Sequence, residues 1–146
     1  MTFVIATELD TQTLAHVLDS IPYRNRGQRA ECMVRYMLTG AIGRADNAPS
    51  WEAGDVLNVQ VKSFRASICH GTDLAAHIEQ DAAEIYCYVT TDYKCYFMDP
   101  ETWLSFATEH STETRESKKN GGGAKLRLNY ESKKFRADLE ALALAA

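Results

Sequence analysis

The chain has 146 residues, 45% of them hydrophobic and 25% charged, which is the size and balance of one globular domain, residues 1–146, with a real core. No stretch approaches the roughly 20 apolar residues of a membrane helix, and Met1-Thr2-Phe3-Val4-Ile5-Ala6 lacks the basic region of a secretory signal, so the expectation is a cytoplasmic protein with no membrane partner. The net charge of −4 looks unsuited to a polyanionic partner until it is divided: residues 115–136 hold eight basic and two acidic side chains, leaving eight basic and eighteen acidic elsewhere. Such asymmetry suits a phosphate-tracking surface on an acidic body; a solvated loop and helix face gives the same count.

Residues 2–6 alternate weakly, as a short strand does. Asp10 or Thr11 can cap a helix through Leu14, Ala15 and Leu18 that stops before Pro22. Gly27-Gln28-Arg29-Ala30 opens the clearest helix, with Ala30, Met33, Val34, Met37 and Leu38 at the i, i+3, i+4, i+7, i+8 positions and Gly40 as its stop. Glu31 falls at the rim of that apolar stripe. Residues 41–54 carry turn signals at Gly43, Asp46-Asn47, Pro49 and Gly54. Val56 through Phe64 reads as a strand with Val59, Val61 and Ser63 on one face and Gln60, Lys62 and Phe64 on the other.

A loop at Cys69–Thr72 leads to a helix capped by Thr72 or Asp73 and reaching about Gln80. Glu84–Thr90 and Tyr93–Met98 are rich in aromatic and β-branched residues across a hairpin-sized gap at Thr91-Asp92. Their tyrosines, with Phe97, read as cross-strand pairs and core before they read as base-stacking surfaces. Asp99-Pro100-Glu101 has the cap, first-position proline and first-turn acid of a helix start, and Trp103 on that helix should pack on the sheet. Residues 108–123 are polar and end in Gly121-Gly122-Gly123, so a flexible basic segment is expected over about 111–127, with Ala124–Asn129 as one more strand. Ser132 to the end reads as a helix with Phe135, Leu139, Leu142 and Leu144 inward. The order predicts an α/β (α+β) architecture, a mixed sheet flanked by helices. Cys32, Cys69, Cys87 and Cys95 form no CxxC pair and are expected as structural thiols.

The informative constellation is Glu31 on a helix, Asp55 at a strand start, and Gln60-Val61-Lys62 within a strand. Residues two apart on a strand share a face, so Gln60 and Lys62 project together. Asp55 joins them only through a bend near Leu57-Asn58. Oxygen ligands and an ammonium around one small volume suit Mg²⁺ (or Mn²⁺), which needs only one or two carboxylates beside its waters.

These residues resemble the PD-(D/E)xK, or restriction-endonuclease-like, nuclease superfamily over about residues 27–98. The looser likeness of Ser117-Lys118-Lys119-Asn120-Gly121 and Lys125-Leu126-Arg127 is to phage-borne or homing-endonuclease-type members. The resemblance implies an αβββαβ core, with Asp55 as the motif's Asp, Gln60 in place of its second acid, Lys62 as its lysine, and Glu31 as the added helix acid. Two departures stand out: Gln60 leaves the site one negative charge poorer, and only four residues separate Asp55 from Gln60. Asp46, with thirteen intervening residues, is the rival metal ligand. The implied activity is Mg²⁺-dependent hydrolysis of DNA phosphodiesters by a bacterial or phage-encoded homodimer or homotetramer. By charge, the phosphate contacts fall to Arg24, Arg26, Arg29, Arg115, Lys118, Lys119, Lys125 and Arg127. The alternative is a catalytically impaired nuclease fold that binds DNA or protein without cutting, and a third is a domain unrelated to nucleic acid.

Overall fold

Ile85–Val89 (β4) and Cys95–Met98 (β5) consist of aromatic, β-branched and sulfur-bearing side chains, and in the computed structural model they pair antiparallel at the centre of a four-stranded sheet. The structure describes residues 2–22, 25–40, 59–64, 67–70, 74–115 and 124–145. Val4–Thr7 (β1) pairs antiparallel with β5, and Val59–Ser63 (β2) pairs parallel with β4, giving the order β1-β5-β4-β2. Ser67–His70 (β3), Ser111–Arg115 (β6) and Ala124–Leu128 (β7) form an antiparallel sheet in the order β3-β7-β6. The helices are Thr11–Ser20 (α1), Arg26–Thr39 (α2), Leu74–Asp81 (α3), Pro100–Glu109 (α4) and Lys133–Ala145 (α5). The protein is thus of mixed α/β class, as its pattern predicts.

The helix ends follow local chemistry. Asp10 caps α1 by accepting from Thr13 N–H at 2.9 Å. Asn25 caps α2 by accepting from Gly27 N–H at 2.8 Å and Gln28 N–H at 3.2 Å. At the other end Gly40 takes φ 76°, a left-handed turn that costs glycine nothing.

Both faces of the four-stranded sheet are covered. Tyr86, Tyr88, Tyr96 and Met98 point to the side where Trp103 and Phe106 of α4 and Phe135 and Leu139 of α5 pack. Cys87, Val89, Cys95 and Phe97, together with Val59 and Val61, meet Ala30, Cys32, Met33 and Val34 of α2 and Val17 of α1. Trp103, 1% exposed, stacks on Tyr86 at 5.6 Å and Tyr88 at 6.3 Å between ring centroids. The tyrosines are core, as expected.

Four expectations give way. The stretch at Cys69 is strand rather than loop, because β3 finds backbone partners on β7 fifty-odd residues later in sequence, on the order of a long-range closure that no local pattern encodes. Residues 111–115 are likewise strand, since Leu126 and Leu128 anchor β7 to the core and β6 completes its hydrogen-bonding edge. The expected flexible segment is therefore bounded by paired backbone, and 116–123 lie outside the described residues. Leu144 is 88% exposed on the last turn of α5. Phe64 does not continue the Gln60–Lys62 face: it turns at φ 52°, gives its N–H to Val89 O at 3.0 Å, and lays its ring edge-on to Tyr93.

Asp99 ties the amino terminus to α4. Its carboxylate accepts from Phe3 N–H at 2.8 Å and from Thr102 N–H at 3.1 Å, and it is buried. Burial raises its pKa, but the hydrogen bonds from Thr102 and Phe3 outweigh that and leave it below the ordinary carboxylate value. Its contribution is therefore full above that ordinary value and lost as pH falls through the lowered one. Asp99→Ala, which removes the cap and strands the Phe3 N–H, is expected to lower unfolding free energy by about 2–4 kcal/mol at pH 7. Urea titration measures this, and the gap between variant and wild type should narrow in acid.

Candidate functional site

The parallel register pairs Gln60 with Tyr86 and Lys62 with Tyr88. Extended across β5, this gives two rows on one face: Gln60, Tyr86, Met98, and Lys62, Tyr88, Tyr96. Gln60 and Lys62 are both half-buried, whereas Val59 and Val61 between them are buried. The strand alternation that puts the amide and ammonium side by side is thus present. Among the described residues β2 is the outermost strand, so this pair lies at the sheet's border beside the aromatic core.

The helix that carries Glu31 packs on the other side of β2, where Ala30, Cys32, Met33 and Val34 meet Val59 and Val61. Glu31 is half-buried, with its Oε2 atom shielded from solvent. The helix rim predicted from periodicity is correct, but periodicity does not say which face of the sheet the helix covers. Asp46 and Asp55 lie outside the described residues.

The basic candidates divide. Arg26, exposed at the start of α2, stands with its guanidinium carbon 5.9 Å from the centre of the Phe64 ring, which puts one cation of the first basic group beside the carboxyl end of β2. Arg29 is half-buried one turn on. On β7, Leu128 is buried and Leu126 packs on the core, so the alternate residues Lys125 and Arg127 take the opposite face. Register sets Arg127 beside Ser67 and Thr112, and Lys125 beside His70 and Thr114, with Arg115 at the end of β6 opposite Ala124. Arg24, Lys118 and Lys119 lie outside the described residues.

A second constellation has no precursor in the sequence pattern. His110, the residue after α4, is 4% exposed and enclosed by the rings of Phe106 at 4.6 Å and Phe135 at 5.5 Å. Its Nε2 lies 2.9 Å from Asp138 Oδ2. The same oxygen accepts from Lys134 Nζ at 2.7 Å, and that ammonium also donates to Glu109 Oε1 at 2.9 Å. Glu109, His110 and Asp138 offer three ligand atoms within 4.8 Å of one another. The donor set does not fit Mg²⁺, which prefers oxygen throughout, and the Lys134 ammonium already bridges the two carboxylates. The arrangement is a hydrogen-bonded clasp between α4 and α5. Only the Lys134–Asp138 spacing of i, i+4 is visible in the sequence.

Compared with known proteins, the chain matches no protein-family model, no curated protein and no solved structure. The functional reading therefore stands on the chain's own residues. Among the described residues no helix is long and apolar enough to cross a membrane.

Hydrogen bonding from Lys134 is the main force lowering the Asp138 pKa, and the hydrogen bonds that Lys134 donates to Asp138 and Glu109 raise its own to about 12. The Asp138 contribution is present above the usual carboxylate pKa and lost as pH falls through the lowered one. That of Lys134 is present below its ordinary value and lost as pH rises through about 12. His110→Ala, which removes a buried ring and its hydrogen bond, should cost roughly 1–3 kcal/mol in urea unfolding. Lys134→Ala should shift the neutral-pH midpoint little, because its groups are exposed, and should make the loss of stability in acid shallower, since the Asp138 pKa then lies nearer its ordinary value.

Proposed function

We propose that this protein is a Mg²⁺- or Mn²⁺-dependent endonuclease acting on DNA phosphodiesters. The observation behind the reading is the pairing of Gln60 and Lys62, half-exposed on one face of the outermost described strand. Arg26 at the end of that strand and the outward Lys125 and Arg127 of β7 supply positive charge for phosphates. A cytoplasmic setting in a bacterium or phage, and a two-fold assembly in which each subunit cuts one strand, belong to the same proposal.

Lys62 is suited to two tasks. Its ammonium can orient a water for in-line attack on phosphorus, or neutralise charge that grows on the phosphoryl oxygens as the bond to the leaving oxygen lengthens. A neighbouring aromatic core on one side lowers the local dielectric and strengthens either effect. The Gln60 amide offers its carbonyl oxygen beside the lysine and adds no negative charge. On that face the described residues hold no carboxylate partner for it, so the acid of the site falls to Asp55 or Asp46. A bound divalent ion would polarise the scissile phosphate and lower the pKa of a coordinated water.

Two features favour a second reading, a nuclease fold that binds without cutting: the glutamine at position 60, and the packing of the Glu31 helix on the opposite side of β2. Plasmid nicking in Mg²⁺ and in Mn²⁺ separates the two. For the enzyme, Lys62→Ala should reduce the rate about 10²–10³-fold; undiminished cleavage by Lys62→Ala rejects this site. Binding that is equally tight in EDTA, with no cleavage under either ion and cleavage created by Gln60→Glu, establishes the non-cutting form. In either case Lys125→Ala/Arg127→Ala should weaken duplex binding and lower the slope of log affinity against log salt by about two.

A further inference from the structure

Three members of the clasp, Glu109, Lys134 and Asp138, line an open groove of about 740 Å³ between α4 and α5. Phe106 and Leu142 give it apolar wall, and Glu101 adds a third carboxylate. The groove thus carries three carboxylates against one ammonium, an imbalance that attracts cations. None of these residues belongs to the Gln60–Lys62 pair.

A cation already sits where the donors converge. Lys134 Nζ lies 2.7 Å from Asp138 Oδ2 and 2.9 Å from Glu109 Oε1, and the same Asp138 oxygen is 2.9 Å from His110 Nε2. Two donors bound to one ion at about 2.0–2.2 Å stand about 3–3.5 Å apart. The imidazole and the aspartate are therefore near the spacing that a shared ion requires. All three ligand atoms lie within 4.8 Å of one another, and Glu109, exposed at the end of α4, is free to close the remainder. His110 is the fixed member: its ring is enclosed by Phe106 and Phe135, and its carbonyl accepts from Asn129 N–H at 2.7 Å. Lys134 is the replaceable one. Its side chain is 67% exposed, and an exposed ion pair holds a long side chain only weakly.

One imidazole nitrogen with two carboxylate oxygens is a mixed set that suits Zn²⁺, Co²⁺ or Ni²⁺ rather than Mg²⁺. Three protein ligands also leave a coordination position for water, and the groove has room for it. We propose that Glu109, His110 and Asp138 form a binding site for a divalent cation of the zinc class, which displaces the Lys134 ammonium. Until the ion arrives, the ammonium holds two mutually repelling carboxylates beside the imidazole. When it binds, the neutral ring carries its proton on Nδ1 and presents the Nε2 lone pair, and Lys134 turns out to solvent. This site is separate from the DNA reading and does not depend on it.

Calorimetric titration of the full chain with zinc chloride, with magnesium chloride in parallel, tests the site. Nitrogen NMR of the imidazole rings locates the ion. Zn²⁺ should shift the His110 Nε2 resonance and perturb the amides of Glu109, His110, Lys134 and Asp138, whereas Mg²⁺ should do neither. Lys134→Ala should bind Zn²⁺ about tenfold more tightly, because a competing positive charge is gone. Loss of a ligand costs no less than the roughly 10–100-fold of an outer-shell partner, so Asp138→Asn and Glu109→Gln should each weaken binding by at least that much. Thermal unfolding without zinc checks that both variants fold, and Glu109→Gln, altered at an exposed side chain, serves alone if Asp138→Asn does not. Unchanged zinc affinity in a folded variant overturns the assignment, as does a shift at His16 or His77 with His110 unmoved. Equal affinity for Mg²⁺, weaker binding by Lys134→Ala, or no binding at millimolar Zn²⁺ overturns it as well. DNA enters none of these measurements, so either reading can fail alone.

Discussion

The alternation along β4 is the constraint on which the rest of the structure depends. Tyr86 and Tyr88 face one side, Cys87 and Val89 the other, and all four are buried. A strand covered on both faces needs helices on both, and each face recruits its own: α4 and α5 over the tyrosines, α1 and α2 over the smaller side chains. The volumes match this division. Trp103, Phe106 and Phe135 fill the space above large rings, whereas Ala30, Met33 and Val34 bring a helix close to cysteine and valine. The thiols are part of that fit: Cys32, Cys87 and Cys95 are buried and unpaired by disulfide, and burial above all pushes the Cys87 thiol well above its usual pKa. They act as small apolar groups, inert toward the chemistry proposed for the other face.

From this two-sided core the candidate site inherits its position. Because β2 runs parallel to β4, each residue of β2 shares a row with a residue of known orientation, and Gln60 and Lys62 fall on the tyrosine side. The same rows lead through Tyr86 and Tyr88 to Met98 and Tyr96, so one sheet face connects a polar strand border with an aromatic interior. The helix that carries Glu31 serves the opposite core, against Val59 and Val61.

The second sheet adds a different kind of surface. Leu126 and Leu128 fasten β7 to the aromatic core, and Lys125 and Arg127 follow on the other face by alternation alone. Segregation of charge in the sequence thereby becomes segregation in space, the condition for tracking a phosphate backbone. The His110 clasp closes the junction at which α4 hands over to β6: Asn129 N–H donates to His110 O at 2.7 Å, while the ring is held by Asp138.

Local signals alone were enough to place α1, α2, α4 and α5, the β4–β5 hairpin, and the shared face of Gln60 and Lys62. Each depends on residues within a turn or two of one another: the Asp10, Asp99 and Gly40 ends, the 3.6-residue stripe, the two-residue alternation. Only the tertiary structure decided that β3 and β6 are strands, because their partners on β7 are remote and their own residues are too polar to announce an apolar face. It decided that Leu144 points to water, one position beyond the Phe135, Leu139, Leu142 and Ala143 stripe that packs on the core. It decided as well that the helix carrying Glu31 packs on the Val59–Val61 side of β2. It brought together His110 with Asp138 across a gap that periodicity does not bridge. Periodicity reports which residues share a side of one element; packing chooses what that side meets.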